Sequence, residues 1–340
     1  MNPTYIIAEA GVNHNGSAKL ACQLIDAAKA AGADAVKFQT FKTEKILTRD
    51  TIKSDYQKIN TGTNSTQYEM VKSLELSYDD FIMLNEYAKF KEIDFLSTPD
   101  DEDSLDFLVD EIQLRWIKIG SSEVTNLPFL RQIGAKQRPL ILSTGMSTLG
   151  EVERAVRAIR ETNEQELVLL HCTTNYPCPS HEVNLRAMQT MKSAFNTRVG
   201  YSDHTLGTEV AVAAVALGAE IIEKHITLDR SLGGPDHRAS LDPDEFKIMV
   251  AQIRAIESAL GDGVKWPNPS EEIIKQTVRR RIVAASNLKA GTYIEMKHLC
   301  FKRANAGLFA DQFEAVIGRQ LIEALEPDMP VEWIMLGGFE

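Results

Sequence analysis

Eight short apolar runs recur along the first 260 or so residues, and a stretch with helical periodicity follows each of them. This alternation predicts parallel strands joined by helical crossovers, since a parallel pair needs a long connection to return the chain to the same end of the sheet. Eight such units in about 260 residues are typical of a (β/α)8 barrel. The predicted strands are residues 5–10, 35–39, 94–98, 115–120, 139–144, 167–172, 198–203 and 220–226, and the clearest helices are Ala18–Ala31, Leu149–Arg160 and Pro243–Leu260.

A doubly wound open sheet is the alternative architecture. Such sheets usually carry a glycine-rich turn after the first strand, and the segment 11–16, GVNHNG, lacks the dinucleotide-binding fingerprint. One connection is unusually long, because residues 40–77 are rich in Lys, Thr and Asn and show no clear period. In a barrel this insertion follows the second strand on the face that carries active sites, so we expect a partly ordered lid over the mouth.

The alternating pattern ends in a segment with two glycines and two prolines between residues 261 and 270. We therefore predict a catalytic barrel at residues 1–262, a linker at 263–280 and a small, mostly β domain at 281–340. Predicted strands in that last domain are residues 281–285 and 332–336.

Charge and composition restrict the function classes. The net charge of −11 argues against binding of nucleic acid or of an acidic membrane, both of which favour a basic surface. The four cysteines form no Cys-x-x-Cys pair, and the sequence has neither a secretory leader pattern nor an apolar run of about 18 residues. We expect a soluble, cytoplasmic protein without a disulfide framework.

The barrel prediction places chemistry at the carboxyl ends of the strands. Polar residues occur there at a high density, and a further polar run, residues 171–176, ends at Tyr176 after the sixth strand. The residues at these ends are Glu9, Lys37, Gln39, Lys118, Ser121, Ser143, Ser202, His204, Glu223 and His225.

Two imidazoles end two neighbouring predicted strands, His204 on the seventh and His225 on the eighth. Two neutral imidazoles suit a borderline divalent ion such as manganese, cobalt or zinc. With only two protein ligands, such an ion would keep open coordination positions, as metal ions in catalytic sites do. The alternative is that either histidine is a satisfied core residue or a hydrogen-bonding residue at a strand end.

Two lysines, Lys37 and Lys118, lie in otherwise apolar strands. A lysine that points into a barrel needs a partner, and a bound phosphate or carboxylate would supply one, with Ser121, Ser143 and Ser202 as hydroxyl donors. The alternative is a structural network with Glu9, Glu123 or Glu223, and both arrangements can hold in turn.

Other residues carry weaker signals. Asp236 lies in a polar loop and is either a hydroxyl binder or a turn-forming aspartate. His237 is expected to be a solvated loop histidine rather than a third metal ligand, and Cys172 a buried small residue rather than a nucleophile. The acidic run 100–103 is expected to be the solvated N-terminus of a helix.

Several motifs, taken together, resemble the sialic acid synthases. They are Ile7–Gly16 (IAEAGVNHNG), Val36–Gln39 (VKFQ), Ser97–Pro99 (STP), Lys118–Ser121 (KIGS), Leu142–Met146 (LSTGM), His171–Pro177 (HCTTNYP), Gly200–Thr205 (GYSDHT), Glu223–His225 (EKH) and Gly234–Ser240 (GPDHRAS). The tail from about residue 281 resembles the antifreeze-like, or SAF, domain that follows the barrel in these enzymes.

This resemblance implies condensation of phosphoenolpyruvate with an open-chain N-acetylated hexose, with release of phosphate and formation of a nine-carbon 2-keto sugar acid. It implies that His204 and His225 bind Mn²⁺, or Mg²⁺ or Co²⁺ in its place, and that Lys37, Lys118, Ser121, Ser143 and Ser202 hold phosphoenolpyruvate. Glu9, Gln39, Tyr176, Glu223 and Asp236 would orient the sugar or move protons, with His204 also in the catalytic set. Arg303 would reach the N-acetyl group from the partner subunit, which implies a domain-swapped homodimer.

The acceptor expected from the resemblance is N-acetylmannosamine, which gives N-acetylneuraminate. Its alternative is 2,4-diacetamido-2,4,6-trideoxymannose, which gives N,N'-diacetyllegionaminate, and a more distant alternative is a metal-dependent aldolase or lyase on the same barrel. The chain departs from the family after Arg303, where Ala-Asn-Ala-Gly307 replaces the common Pro-Gly, and at Asp100, where phenylalanine is frequent.

Overall fold

The computed structural model describes residues 3–61 and 65–339. The chain divides into two compact units, residues 1–261 and 262–340. The helix Pro269–Val278 lies within the segment predicted to be a linker, so that segment has regular structure of its own.

The first unit contains the eight predicted strands, all paired in parallel in one sheet. The fourth strand is three residues long, shorter than the sequence predicts. The strands are β1 Tyr5–Gly11, β2 Ala35–Thr40, β3 Asp94–Pro99, β4 Ile117–Ile119, β5 Leu140–Ser143, β6 Leu167–Cys172, β7 Arg198–Asp203 and β8 Ile221–His225.

The order of the strands is β3-β2-β1-β8-β7-β6-β5-β4, so β1 pairs with β8 and the sheet curls round until β3 and β4 lie side by side. Alternate side chains point to opposite faces. One face packs against the surrounding helices, and the other, which includes Ile7, Leu96, Ile141 and Ile221, fills the barrel. The predicted (β/α)8 barrel is confirmed.

Most helices of this unit cover the outside of the barrel, and several helix ends follow simple capping rules. Thr148 and Glu151 form a capping box at the start of one helix. Asp242 and Glu245 form another, in a helix whose first residue is Pro243. The helices are α1 Ala18–Ala31, α2 Thr43–Ile46, α3 Asp55–Thr61, α4 Gln67–Lys72, α5 Tyr78–Phe90, α6 Glu102–Asp106, α7 Leu127–Ala135, α8 Leu149–Arg160, α9 Ala187–Phe195, α10 Glu209–Ala216 and α11 Pro243–Leu260.

The insertion at 40–77 contains the helices α2, α3 and α4. The sequence did not predict them, because it shows no clear helical period there. These helices are only four to seven residues long, too short for a periodic signal. Residues 62–64 of the predicted lid lie outside the described residues. Side chains of the insertion do line the mouth of the barrel, as expected of its position.

The second unit consists of two antiparallel strand pairs, β9 Arg281–Ala284 with β10 Leu299–Lys302 and β11 Arg319–Leu321 with β12 Leu336–Phe339, together with α12 Pro269–Val278 and α13 Phe313–Val316. Its core includes Ile282, Ile294 and Val331. The strand predicted at 332–336 is wrong, because residues 333–335 form a 3-10 turn before β12. No helix in the described part of the chain has the length and apolar character needed to cross a membrane.

Candidate active site

A pocket of about 530 Å³ opens at the carboxyl ends of the barrel strands. Its polar side chains stand two residues beyond the apolar layer that fills the barrel, so that Glu9 follows Ile7 and Glu223 follows Ile221 on the same face. The strand period therefore places the polar groups in one ring above an apolar floor. The predicted residues that line this pocket are Glu9, Lys37, Gln39, Lys118, Ser121, Ser143, Tyr176, Ser202, His204, Glu223 and His225.

Four buried charges meet at the base of the pocket. Lys37 Nζ lies 2.9 Å from Glu9 Oε1 and 3.7 Å from Glu223 Oε2, while Lys118 Nζ lies 3.4 Å from Glu223 Oε1. The other oxygen of each carboxylate, Glu9 Oε2 and Glu223 Oε2, is buried without a hydrogen-bond partner among the described residues. The lysines thus pair with glutamates here, but the cluster keeps unused hydrogen-bonding capacity.

The two glutamates differ in their electrostatics. Burial raises the pKa of Glu9 to about 7, in spite of the nearby charge of Lys37. Burial would also raise the pKa of Glu223, but Lys118 and Lys37 together hold it at about 2. Burial lowers the pKa of Lys118, although Glu223 partly offsets this. The cluster therefore combines an ionised carboxylate with one that holds a proton near neutral pH.

The two imidazoles lie together beside this cluster, with ring centroids 5.4 Å apart. His204 Nδ1 lies 2.8 Å from the carbonyl oxygen of Thr173, which can only accept, so Nδ1 carries a proton and Nε2 is the only ring nitrogen that could bind a metal ion. His225 Nδ1 is buried with no hydrogen-bond partner among the described residues. The Tyr176 ring packs 4.1 Å from His204 and 5.6 Å from His225, centroid to centroid.

These observations fit a divalent ion held by two protein ligands. Burial, followed by the charges of His204 and Lys37, lowers the pKa of His225 well below its ordinary value, which leaves a neutral imidazole. Over residues 3–61 and 65–339, no three His, Cys, Asp or Glu side chains are grouped as a metal site. An ion at this position would therefore take its remaining ligands from water or substrate.

Hydroxyl groups surround the lysines. Lys118 Nζ donates to Ser143 Oγ at 2.7 Å, and Ser202 Oγ donates to Glu223 Oε1 at 2.9 Å. Ser121 Oγ accepts from the backbone N–H of Gly145 at 2.9 Å. A side chain at Gly145 would collide with Thr174 Oγ1, so glycine permits this close approach of the backbone.

Asp236 is not among the described residues that line this pocket. Asp236 is buried and lines an adjoining side chamber together with Gln39, Tyr176 and His225. Arg303 belongs to the second unit, where it follows β10. The role that the resemblance implies for Arg303 remains a prediction.

Two expectations were wrong. The acidic run is not simply solvated, because Asp100 is half-buried and lines the pocket and Asp101 is a buried N-cap of α6. Burial, with a contribution from Glu123, raises the pKa of Asp100 to about 7. His237 is fully buried rather than solvated, with Nδ1 2.7 Å from Thr227 Oγ1 and Nε2 3.2 Å from Asn15 Oδ1.

A sequence signal for Asp100 did exist. It follows the end of β3, and the register Thr40↔Pro99 places that end beside the end of β2. The rule that identified the other strand ends, applied to the third strand, would have included Thr98 and Asp100, which both line the pocket.

Comparison with known proteins agrees with this geometry. A model of the NeuB family matches residues 24–265. The chain is 46% identical to the N,N'-diacetyllegionaminic acid synthase of Legionella pneumophila, over 97% of this chain and 93% of that one. It is also 46% identical to the Campylobacter jejuni protein of the same name, over 94% and 96%.

A crystal structure of N-acetylneuraminic acid (sialic acid) synthetase from Leptospira borgpetersenii in complex with citrate superposes with a TM-score of 0.71 at 37% identity. The match covers 82% of this chain and 92% of that one. The family predicted from the motifs is confirmed, and the chain belongs to the NeuB family, the sialic acid synthases that make nonulosonic acids.

Proposed function

We propose that this enzyme condenses phosphoenolpyruvate with an open-chain, N-acylated hexose and releases phosphate. The observation that carries the proposal is the position of His204 and His225 beside the Lys37–Lys118 cluster at one edge of the barrel. An anionic enol donor and an electrophilic aldehyde would then bind within one pocket.

The lysine cluster suits the donor. Lys37 and Lys118 pair with Glu9 and Glu223 and with neighbouring hydroxyls, and Lys118 also donates to the carbonyl oxygen of Ile119. An incoming phosphate and carboxylate can replace the carboxylate partners. Ser121, Ser143 and Ser202 supply hydroxyls around the same position. With both glutamates ionised, the two lysines and two glutamates have no net charge. When Glu9 holds a proton the cluster has a net positive charge, which favours binding of an anion.

The imidazoles suit a metal ion, for which we propose Mn²⁺, with Mg²⁺ or Co²⁺ as substitutes. Its protein ligands would be His204, through Nε2 because Nδ1 donates to Thr173, and His225. Bound there, the ion would stabilise negative charge that develops on the aldehyde oxygen.

In the proposed reaction, C3 of phosphoenolpyruvate forms a bond to the aldehyde carbon, water adds at C2, and the C2–O bond to phosphate breaks. One water is consumed and one phosphate is released. Glu9 Oε2 would deliver a proton to the new hydroxyl oxygen, and Glu223 Oε2 would take one from the adding water, since both atoms are buried beside the lysines without other partners among the described residues. Tyr176, Gln39 and Asp236 would orient the sugar.

The test is phosphate release with phosphoenolpyruvate, Mn²⁺ and a panel of acceptors. We expect His225→Ala to abolish turnover with an unchanged circular dichroism spectrum, while His181→Ala, at an exposed histidine, keeps full activity. Carbon–carbon bond formation without phosphate release would identify an aldolase instead. Loss of the fold in His225→Ala would make His225 a structural residue.

We also propose a cytoplasmic, domain-swapped homodimer in which Arg303 reaches the sugar's N-acyl group in the partner's barrel. Arg303→Ala should raise the KM of the sugar far more than that of phosphoenolpyruvate. Mixed dimers of Arg303→Ala and His225→Ala subunits should regain activity, because one barrel then receives an intact tail. Inactive mixed dimers would reject the swap.

A further inference from the structure

The backbone pairing between the two strands that lead to the imidazoles stops one residue short of the imidazoles themselves. The register of β7 with β8 ends at the pair Asp203↔Lys224, and His204 and His225 follow directly in the two chains. His225 is paired on its other side with Glu9 of β1. Among the described residues, the strand ladder therefore fixes His225 against β1 but does not extend to His204.

One ammonium group bridges this gap. Lys224, the residue before His225, points to the outer face of β8, where its Nζ donates to Asp203 Oδ2 at 2.8 Å and to the carbonyl oxygen of Thr205. Asp203 immediately precedes His204, and Thr205 immediately follows it. The ammonium therefore holds the chain on both sides of His204 to the strand that carries His225.

The residues on either side of His204 are also joined to each other. Asp203 Oδ1 accepts from the backbone N–H and the hydroxyl of Thr205, both at 2.8 Å. The side chains of Asp203 and Lys224 are both 0% exposed, so neither can turn to water, and a buried polar network with its partners in place rigidifies one arrangement. We call the Lys224 ammonium, the Asp203 carboxylate and the Thr205 carbonyl the clamp.

A separate set of contacts orients the ring of His204. Its Nδ1 donates to the carbonyl oxygen of Thr173, and its own carbonyl oxygen accepts from the backbone N–H of Cys178, both at 2.8 Å. These contacts come from the segment that follows β6, and they involve no residue of β8. They set the rotation of the imidazole, whereas the clamp sets the position of His204 relative to His225.

We propose that Asp203 and Lys224 are positioning residues, which hold the imidazoles of His204 and His225 at the separation that one divalent ion requires. The inference rests on the proposed function, which assigns an ion to these two rings. Metal–nitrogen bonds are about 2.0–2.1 Å long, so a small shift of one strand end weakens binding. Asp203 and Lys224 are not among the described residues that line the pocket, so they act through the histidines rather than on substrate.

The experiment measures Mn²⁺ affinity by titration calorimetry in metal-free, full-length protein that carries both Asp203→Asn and Lys224→Met. Together these changes remove both charges, so no buried ion is left unpaired, and the amide oxygen at position 203 can still accept from Thr205. We expect a native far-UV circular dichroism spectrum, a urea midpoint closer to the native value than that of Lys224→Met, and Mn²⁺ binding weakened by at least about tenfold.

Two further variants make the result decisive. Asp203→Asn alone replaces an acceptor of the ammonium with an amide of almost the same shape, and we expect it also to weaken Mn²⁺ binding. Leu24→Ala is the control, because Leu24 is fully buried on α1 and is not among the described residues that line the pocket. Its truncation should lower the urea midpoint and leave Mn²⁺ affinity native.

A clamp that only stabilised the fold would change the urea midpoint without changing Mn²⁺ affinity. Native affinity in Asp203→Asn or in the double variant would therefore overturn the inference, as would an equal loss of affinity in Leu24→Ala, and the proposed function would stand. Absence of Mn²⁺ binding by the native protein would instead contradict the metal site of the proposed function itself.

Discussion

Two buried lysine–carboxylate groups lie back to back in this barrel, because Glu223 and Lys224 are neighbours on β8 and point to opposite faces. On the outer face, Lys224 Nζ donates to Asp203 Oδ2 at 2.8 Å and also to the carbonyl oxygen of Thr205. Asp203 Oδ1 accepts from the backbone N–H and hydroxyl of Thr205, both at 2.8 Å. This outer pair is fully buried, and Lys224 Nζ and both carboxylate oxygens of Asp203 have hydrogen-bond partners.

The inner group is almost as deeply buried, but its hydrogen-bonding capacity is incompletely satisfied. Glu9 Oε2 and Glu223 Oε2 have no hydrogen-bond partner among the described residues, and Lys118 lies 3.4 Å from its carboxylate. A saturated network stabilises one arrangement, whereas an unsatisfied one is stabilised further by a ligand. From this comparison we infer a structural role for the outer pair and propose substrate binding for the inner cluster, although the two groups share strand β8.

The largest expected effect separates the two groups by activity. Lys37→Met and Lys118→Met should each lower phosphate release by about 10²–10³-fold or more, because each removes a cation that faces the donor's charge. Their far-UV circular dichroism should match the native protein. If either variant kept more than about a tenth of native kcat/KM, the inner lysines would not bind the donor.

The second effect separates the groups by stability. Lys224→Met should lower the free energy of unfolding by about 3–5 kcal/mol, since it leaves Asp203 charged and unpaired in the core. The measurement is urea denaturation of metal-free protein, with Lys37→Met compared at the same pH. A smaller loss in Lys224→Met than in Lys37→Met would reverse the comparison.

The smallest effect concerns pH. The pKa of Asp100 is about 7 in the folded protein, above its ordinary value, so the folded state binds the extra proton and loses stability as pH rises from about 4 through 7. Asp100→Asn removes this loss. The Tm of the variant, relative to the native Tm, should rise by about 2–4 °C between pH 5 and pH 8, if ionising the buried carboxyl costs about 1 kcal/mol. If the difference in Tm between the variant and the native protein stayed constant from pH 5 to pH 8, Asp100 would not titrate in this range.

The inner cluster could be predicted from the sequence, because side chains alternate along a strand and the active sites of (β/α)8 barrels lie at the carboxyl ends of the strands. Both features can be recognised from short stretches of sequence. It correctly placed Lys37 and Glu223 around one pocket, although they are far apart in the chain. It could not decide whether the lysines pair with glutamates, because that depends on distances of a few tenths of an ångström across four strands. The roles of the site residues stay predictions.

Features that depend on long-range packing were missed. The buried His237 donates from Nε2 to Oδ1 of Asn15, 222 residues away, and nothing near His237 in the sequence indicates this contact. In the side chamber beside the pocket, Val12 packs with Phe41 and Leu74, which belong to an insertion without periodicity. The helices of that insertion are stabilised by caps such as Thr66–Glu69 rather than by an amphipathic repeat.

Binding of Mn²⁺ to the metal-free protein, measured by titration calorimetry at one neutral pH, tests the central claim most directly. We expect one ion per chain in the native protein and at least a tenfold loss of affinity in both His204→Ala and His225→Ala, with native-like binding in His181→Ala. Native affinity in either of the first two variants would contradict an ion held between these imidazoles.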